Sequence, residues 1–251
     1  MNYKIYPVLQ GMKKDLLDGA MFMFGSDPGT LYKIPYGFYA LQGEDGRIVM
    51  VDSGIYGSEQ LDELQLAYRV EPGTLSSAEA LRVKTGFDPE DVEAIIITHL
   101  HWDHCQNLED FPNAKIYVQK KELLHAIAPY SFERNGYCMW EQTNGPSWLP
   151  SLLRFELIDG EKEVLPGIHV ILTPGHTEGS QSVLIDTAEG RYCIMGDYVH
   201  MMKNITECLP EGIYSSLADW YDTYPKIIAL MNEGVKLLCC HETAAYERTY
   251  G

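Results

Sequence analysis

The 251-residue sequence lacks the features that mark membrane and secreted proteins. It contains no run of about eighteen apolar residues, so it predicts no membrane-spanning helix. Its six cysteines include no C-x-x-C pair, and no basic segment followed by an apolar stretch opens the chain. Free thiols in a reducing compartment are therefore expected, which favours a cytoplasmic protein.

Basic residues are also scarce, with 19 Lys and Arg against 36 Asp and Glu and a net charge of −17. Affinity for nucleic acid depends on neutralising phosphates with Lys and Arg, so this balance argues against a nucleic-acid partner. Hydrophobic residues make up 45% of the chain and no linker-like segment interrupts it. We therefore expect residues 1–251 to form a single globular domain with no membrane partner.

The sequence instead has an unusual density of His and Asp side chains directly after one apolar segment. In an extended chain, residues two apart point the same way, so His99 and His101 are expected to converge on one cation. A helix beginning at Asp103 would present Asp103 and His104 to a second cation. So many polar groups at the end of a buried strand are costly unless something positive compensates them. The pattern predicts a two-metal site.

Three later predicted strands also end beside a potential ligand. The strands predicted over 167–172, 192–195 and 235–240 are followed by His176, Asp197 and His241, respectively. One such ending would mean little, but several at similar positions indicate convergence on one edge of a sheet sandwich.

The rest of the sequence predicts one central strand, four helices and two irregular segments whose roles stay open. The central strand is expected over 93–98, and helices are expected over 76–85, 103–108, 120–128 and 216–233. The segment 21–29 is interpreted either as local packing or as part of a substrate-channel wall. The aromatic-rich segment 129–150 is interpreted as a lid, a pocket wall or a subunit contact in a homodimer.

The run from His99 to His104 resembles the H-x-H-x-D-H motif of the metallo-β-lactamase superfamily, and the later strand ends match that superfamily's other motifs. The resemblance implies an α/β fold of the αββα sandwich type, with two mixed β-sheets flanked by helices. It implies one metal held by His99, His101 and His176, a second held by Asp103, His104 and His241, and Asp197 bridging both. It also implies that Asp52 contacts a ligand histidine.

Within the superfamily, the chain length and the segment 173–182 resemble the N-acyl homoserine lactonase branch, which implies lactone opening and quorum quenching. That branch carries a tyrosine three residues after the bridging aspartate, where this sequence has His200 and, nearby, Tyr198. We therefore expect His200 or Tyr198 to donate a hydrogen bond to the substrate carbonyl. Asp103 is expected to pass a proton to the leaving group.

Nitrogen and carboxylate donors without thiolate suit two Zn²⁺ ions, although Fe, Mn and Co accept the same donors. Two such ions lower the pKa of a shared water toward about 7, so we expect a metal-bridging hydroxide that opens a lactone or cleaves a small carboxylic ester. One alternative is a glyoxalase II type thioester hydrolase, which the acidic balance disfavours. A less favoured one is a di-iron redox protein, because no room remains for its flavin domain.

Overall fold

Two facing β-sheets form the centre of the fold in the computed structural model, which describes residues 1–61, 70–138 and 145–251. The strands are β1 (Tyr3–Met12), β2 (Leu17–Asp18), β3 (Leu31–Tyr32), β4 (Pro35–Gly43), β5 (Ile48–Val51), β6 (Val92–Ile96), β7 (Lys115–Gln119), β8 (Phe155–Ile158), β9 (Lys162–Leu165), β10 (Ile168–Leu172), β11 (Gln181–Thr187), β12 (Gly190–Ile194) and β13 (Lys236–Leu238). The first sheet has the order β1-β4-β5-β6-β7-β8 and the second the order β13-β12-β11-β10-β9. Strands β2 and β3 form a separate pair.

The central strands are buried on both faces, and this explains their unbroken apolar sequences. Side chains alternate along a strand, so Val49 and Val51 of β5 face the second sheet and pack in one cluster with Val183. Met50, between them, faces the other way and packs in a cluster with Leu81. The apolar run thus contributes to two separate cores.

Helices cover the outer faces of the two sheets. They are α1 (Ser77–Thr85), α2 (Trp102–Cys105), α3 (Lys120–Ile127), α4 (Met202–Thr206) and α5 (Leu217–Asn232). Ala80 of α1 and Ala126 of α3 pack on the first sheet, whereas Trp220 and Ile227 of α5 pack on the second. The predicted αββα sandwich is confirmed. None of these helices, within the described ranges, is both long and apolar enough to cross a membrane.

Three predicted elements end at least two residues earlier in the structure than the sequence pattern indicated. The strand expected over 93–98 is β6, which ends at Ile96, because the Thr98 amide donates to Asp52 Oδ1 instead of to a neighbouring strand. The helix expected over 103–108 is α2, which ends at Cys105, because Gln106 is extended with a ψ of 165° and Asn107 has a φ of 59°. The strand expected over 235–240 is β13, which ends at Leu238.

The strand directions bring several carboxyl ends to one edge of the sandwich. Strands β5 and β6 run parallel in the first sheet, and β12 and β13 run parallel in the second. Strand β10 has the same direction as β12, because both are antiparallel to β11. The segments that follow β5, β6, β10, β12 and β13 therefore carry the side chains described next.

Candidate metal centre

The structure brings the seven predicted ligand side chains together from four separate segments of the chain, the first of which carries four of them. His99 and His101 follow β6, Asp103 and His104 lie in α2, and the remaining three are His176 after β10, Asp197 after β12 and His241 after β13. They form two groups, and within each group the ligand atoms lie within 4.8 Å of one another. Six of the eight histidines in the sequence therefore meet at this edge, counting His200 beside Asp197.

The first group contains His99, His101 and His176. His101 Nδ1 lies 2.9 Å from His176 Nε2, and the ring centroids of His99 and His101 are 4.7 Å apart. All three side chains are buried. The three nitrogens face one point, as the ligands of a single cation would.

The second group contains Asp103, His104 and His241, with Asp197 between them and the first group. Asp197 Oδ1 lies 3.1 Å from both His104 Nε2 and His241 Nε2. Its other oxygen, Oδ2, lies 3.5 Å from His176 Nε2. One carboxylate oxygen therefore faces each group, and Asp197 has the geometry of a bridging ligand.

Unsatisfied buried atoms show that this donor set fits a pair of cations. Within the described ranges, His99 Nε2 is buried without a hydrogen-bond partner, and His104 Nε2 and Asp197 Oδ1, although 3.1 Å apart, are buried without a well-aligned hydrogen bond. Each such atom costs about 1–3 kcal/mol when nothing compensates its lost hydration. Nitrogen and carboxylate oxygen are ligands that Zn²⁺ and related divalent ions accept.

The three histidines of the first group are held in the neutral form, which is the form that binds a cation. Burial and the neighbouring His104 ring hold the pKa of His99 well below its ordinary value, and burial and His176 do the same for His101. Burial lowers the pKa of His176 to about 3. These rings are neutral at pH 7, so their lone pairs are available to a metal.

The second group is charged differently, because carboxylates surround its histidines. Burial alone would lower the pKa of His104, but Asp197, Asp52 and Asp103 outweigh burial and raise it well above its ordinary value. Burial likewise opposes the shift of Asp197, but His241 and His104 hold its pKa well below the usual range. In the metal-free protein this group keeps protons that a cation would displace.

The outward-facing ring nitrogens are held by fixed partners, which orients each ring. His104 Nδ1 lies 2.8 Å from Asp52 Oδ2, and this is the contact expected between Asp52 and a ligand histidine. His176 Nδ1 lies 2.7 Å from the Ile213 carbonyl oxygen, and His241 Nδ1 lies 3.1 Å from the Pro35 carbonyl oxygen. A carbonyl only accepts, so Nδ1 carries a proton in both His176 and His241, and Nε2 of each ring faces the site. In His176 this Nε2 has a free lone pair, whereas in His241 the neighbouring carboxylates favour a proton there that a cation would displace.

A cavity of about 900 Å³ opens over the two groups. Much of its wall is apolar or aromatic: Leu17, Met21, Phe22, Ile34, Tyr36, Trp102, Phe132, Ile213 and Tyr214. Met21 and Phe22 come from the segment 21–29 and Phe132 from the segment 129–150, so both segments contribute to the wall, which is one of the roles that the sequence left open for each. Residues 139–144 of the second segment, including Trp140, lie outside the described residues.

The two residues proposed as carbonyl donors lie in different places. His200 lines the cavity, and its Nε2 is 3.2 Å from Asp197 Oδ2. Tyr198 is fully buried, and its hydroxyl donates to the Trp220 carbonyl oxygen at 2.9 Å. The expectation that Tyr198 could donate to a substrate is wrong for this geometry, because the hydroxyl points into the core beneath α5.

Sequence reasoning missed two acidic residues near the site, the buried Glu122 and the partly buried Glu133. Glu122 lies on the inner face of α3, where an acidic residue in line with the buried Ala126 was the available signal. Glu133 lines the cavity, and its Oε2 lies 2.6 Å from His125 Nε2, so His125 is a structural residue as the sequence indicated.

Comparison with known proteins gives a consistent result. A family model described as the metallo-beta-lactamase superfamily matches residues 37–231. An N-acyl homoserine lactonase of Bacillus cereus is 31% identical over 229 residues, which cover 86% of this chain and 84% of that protein. Another from Bacillus sp. is 32% identical over 224 residues. Its aligned region covers 86% of this chain and 84% of that protein.

Among solved structures, a mutant of AiiA from B. thuringiensis with N-decanoyl-L-homoserine at its active site superimposes with a TM-score of 0.75 and 24% identity. The match covers 96% of this chain and 94% of that one. At this identity the structural likeness shows a shared fold.

Proposed function

This chain belongs to the metallo-β-lactamase superfamily, and from that membership we propose that it is a metal-dependent hydrolase that opens a lactone or cleaves a small carboxylic ester. The observation that carries the proposal is the position of Asp197, whose two oxygens face two separate groups of buried ligand atoms at the floor of a largely apolar cavity.

The proposed ligands of the first metal are His99, His101 and His176; those of the second are Asp103, His104 and His241; and Asp197 is shared. We favour zinc at both positions, because the donors are nitrogen and carboxylate oxygen without thiolate. When bound, two such ions supply a water of lowered pKa and polarise a carbonyl oxygen.

His200 is the protein group best placed to act on the substrate carbonyl. Its ring is buried at the cavity wall, and the Phe22 ring packs edge-on at 5.0 Å between centroids, which limits the orientations of the imidazole. A held donor stabilises the negative charge that grows on the carbonyl oxygen without having to reorganise. We assign this hydrogen bond to His200.

Asp103 is the proposed carrier of a proton to the leaving group. Its side chain is 15% exposed, more than that of Asp197 or His104, and it lines the cavity. Its Oδ2 lies 3.7 Å from His241 Nε2, which keeps the carboxylate at the edge of the second group. A carboxylate with access to both the site and the cavity can return a proton to an alkoxide as the ring opens.

For the substrate we propose an N-acyl homoserine lactone or a related acyl lactone. The names of the Bacillus relatives and the apolar wall of the cavity support this class, since an acyl chain needs an apolar surface to bury. Quorum quenching in the cytoplasm would be the corresponding cellular role.

A substrate panel with metal removal tests the proposal. The enzyme as purified, the same enzyme after chelation and dialysis, and the dialysed enzyme with zinc restored are each given acyl lactones, simple carboxylic esters and acyl thioesters. We expect lactone turnover to exceed thioester turnover, to vanish on chelation and to return with zinc. Full lactonase activity in the chelated enzyme would overturn the metal mechanism, and preferential thioester turnover would overturn the substrate class.

A further inference from the structure

Glu122 is a buried acidic side chain on α3 that collects hydrogen bonds from separate loops. It is 1% exposed. Its Oε1 accepts from the Leu100 amide at 2.9 Å and from the Tyr137 hydroxyl at 3.1 Å. Its Oε2 accepts from the Thr177 hydroxyl at 2.7 Å and from the Gly179 amide at 3.2 Å. Each carboxylate oxygen thus accepts two hydrogen bonds, so the buried carboxylate has no unsatisfied oxygen.

Three of these four donors lie beside a residue of the first metal group, and the fourth, Gly179, follows His176 by three residues in the same loop. Leu100 stands between His99 and His101 in the chain, and Thr177 directly follows His176. The Tyr137 ring packs against the His101 ring with 4.7 Å between centroids. Glu122 therefore connects the two loops that together supply all three nitrogens of this group.

The contact between α3 and the His176 loop is also close at the level of the main chain. A Cβ added to Gly179 would lie 2.1 Å from the Glu122 amide nitrogen and 2.5 Å from its Cα, so only glycine allows this approach. The side-chain hydrogen bonds and the main-chain packing thus fix the same loop against the same residue.

An acid at this position does more than fill space. Removing a carboxylate from water is costly, and an apolar side chain of similar size would avoid that cost but would leave the four donors without an acceptor. A carboxylate differs in offering two oxygens that can hold several donors in one fixed arrangement. The arrangement held here is the relative placement of the loop after β6 and the loop after β10.

We propose that Glu122 is a positioning residue for the first metal group. It holds His99, His101 and His176 at the spacing that one cation requires, and the second metal group does not depend on it. This inference rests on the proposed dinuclear centre. Asp52 has the same positioning role for the second group, because its Oδ2 contacts His104 Nδ1 and so orients that ring.

Metal titration of Glu122→Gln tests the proposal. Chelated and dialysed wild-type and variant enzymes are titrated with Zn²⁺ against a competing chromophoric chelator, which resolves two binding steps. We expect Glu122→Gln to weaken one step by about 10- to 100-fold, the usual effect of losing a residue that orients a ligand, and to leave the other unchanged. Asp52→Asn should weaken the opposite step, and the double variant should weaken both.

Gln119→Met is the matched control. Gln119 is buried at the start of α3, but its amide donates to Gly160 and Gln181 rather than to a loop that carries a ligand. Both binding steps should keep their wild-type affinities in this variant. If Glu122→Gln folds poorly, Tyr137→Phe and Thr177→Val each remove one donor, and we expect each to weaken the same step by a smaller factor.

The outcomes separate this inference from the function on which it rests. A wild-type enzyme that binds fewer than two zinc ions would remove the dinuclear centre itself. A wild-type enzyme that binds two ions, together with a Glu122→Gln variant that loses both steps equally or neither, would overturn only the role of Glu122.

Discussion

At the scale of single residues, Asp52 shows how a strained backbone serves the site. Its φ of 62° is unusual for a non-glycine residue. In this conformation one carboxylate accepts from the Thr98 amide at 2.7 Å and from the Thr98 hydroxyl at 2.9 Å, and also contacts His104 Nδ1. The strain is balanced by contacts that orient a ligand ring.

Asp52→Asn should therefore reduce activity through the metal rather than through the fold. An amide NH₂ in place of Oδ2 would force His104 Nδ1 to accept, so that Nε2 would carry the proton and lose its lone pair for the cation. We expect activity at limiting zinc to fall by about 10- to 100-fold and to recover at high zinc. Activity that stays low in excess zinc would contradict this account, and Asp45→Asn, at an exposed turn, is the control.

A second residue-scale prediction contrasts His200 with Tyr198. His200→Phe should lower kcat by about 10²- to 10³-fold, the usual effect of losing a donor to a developing oxyanion, while two zinc ions stay bound. Tyr198→Phe should leave kcat unchanged and cost about 1 kcal/mol of unfolding free energy, since its hydroxyl only bonds the Trp220 carbonyl. Steady-state kinetics with metal analysis on both variants checks the pair, and a large loss of kcat in Tyr198→Phe would reverse the assignment.

At the scale of elements, strand ends were predictable and loop conformations were not. An apolar strand that stops at His or Asp shows its pattern in the sequence, and the expected convergence of His176, Asp197 and His241 with His99 is present in the structure. The contact of Glu122 with four donors depends on how α3 packs against two loops. No local pattern encodes that packing, because the partners are as many as 57 positions away.

The segment 129–150 illustrates the same limit. Its aromatic residues indicated a functional loop but not its contacts. In the structure the Gly136 carbonyl accepts from the Trp102 amide at 2.8 Å, and a Cβ added to Gly136 would lie 2.6 Å from His101 Nε2. The loop therefore lies against the back of a proposed ligand, where any side chain larger than that of glycine would displace the ring or the loop.

Gly136→Ala should disturb the first metal group through this loop. The added methyl group needs the space of the His101 ring, so the ring must move or the loop must retreat from the cavity. We expect a loss of zinc affinity at one of the two binding steps and an activity loss that excess zinc partly restores. Arg134→Ala, at an exposed position of the same loop, should change neither quantity. Equal behaviour of the two variants would exclude this role for Gly136.

At the scale of the whole molecule, the sandwich explains why one site can draw on distant parts of the chain. Parallel strands in both sheets end at the same edge, and the buried layer between the sheets keeps those ends together. The protein has a net charge of −17, and six of its eight histidines meet at this one site. Metal binding and acid are therefore both expected to act on the protein at this site.

The buried histidines of this site predict how the stability of the metal-free protein changes at low pH. The pKa of His176 is about 3 in the folded state, against about 6.5 for a free imidazole, because burial disfavours its charged form. Below pH 6.5 the unfolded chain binds a proton here that the folded chain does not. The stability linked to this ring is therefore fully present above pH 6.5 and is lost as the pH falls toward 3, by about 5 kcal/mol at most.

His176→Asn isolates this effect. Asparagine can still donate to the Ile213 carbonyl oxygen but binds no proton in this range, so the unfolding free energy of the variant should fall less steeply between pH 6.5 and 4. Urea unfolding of both chelated proteins at several pH values measures the two slopes. His241 has the opposite effect on the pH dependence of stability. Asp197 and Asp103 outweigh its burial and raise its pKa, so the contribution of His241 to the unfolding free energy is lost as the pH rises. Parallel slopes for wild type and variant would mean that His176 is already charged in the folded metal-free protein.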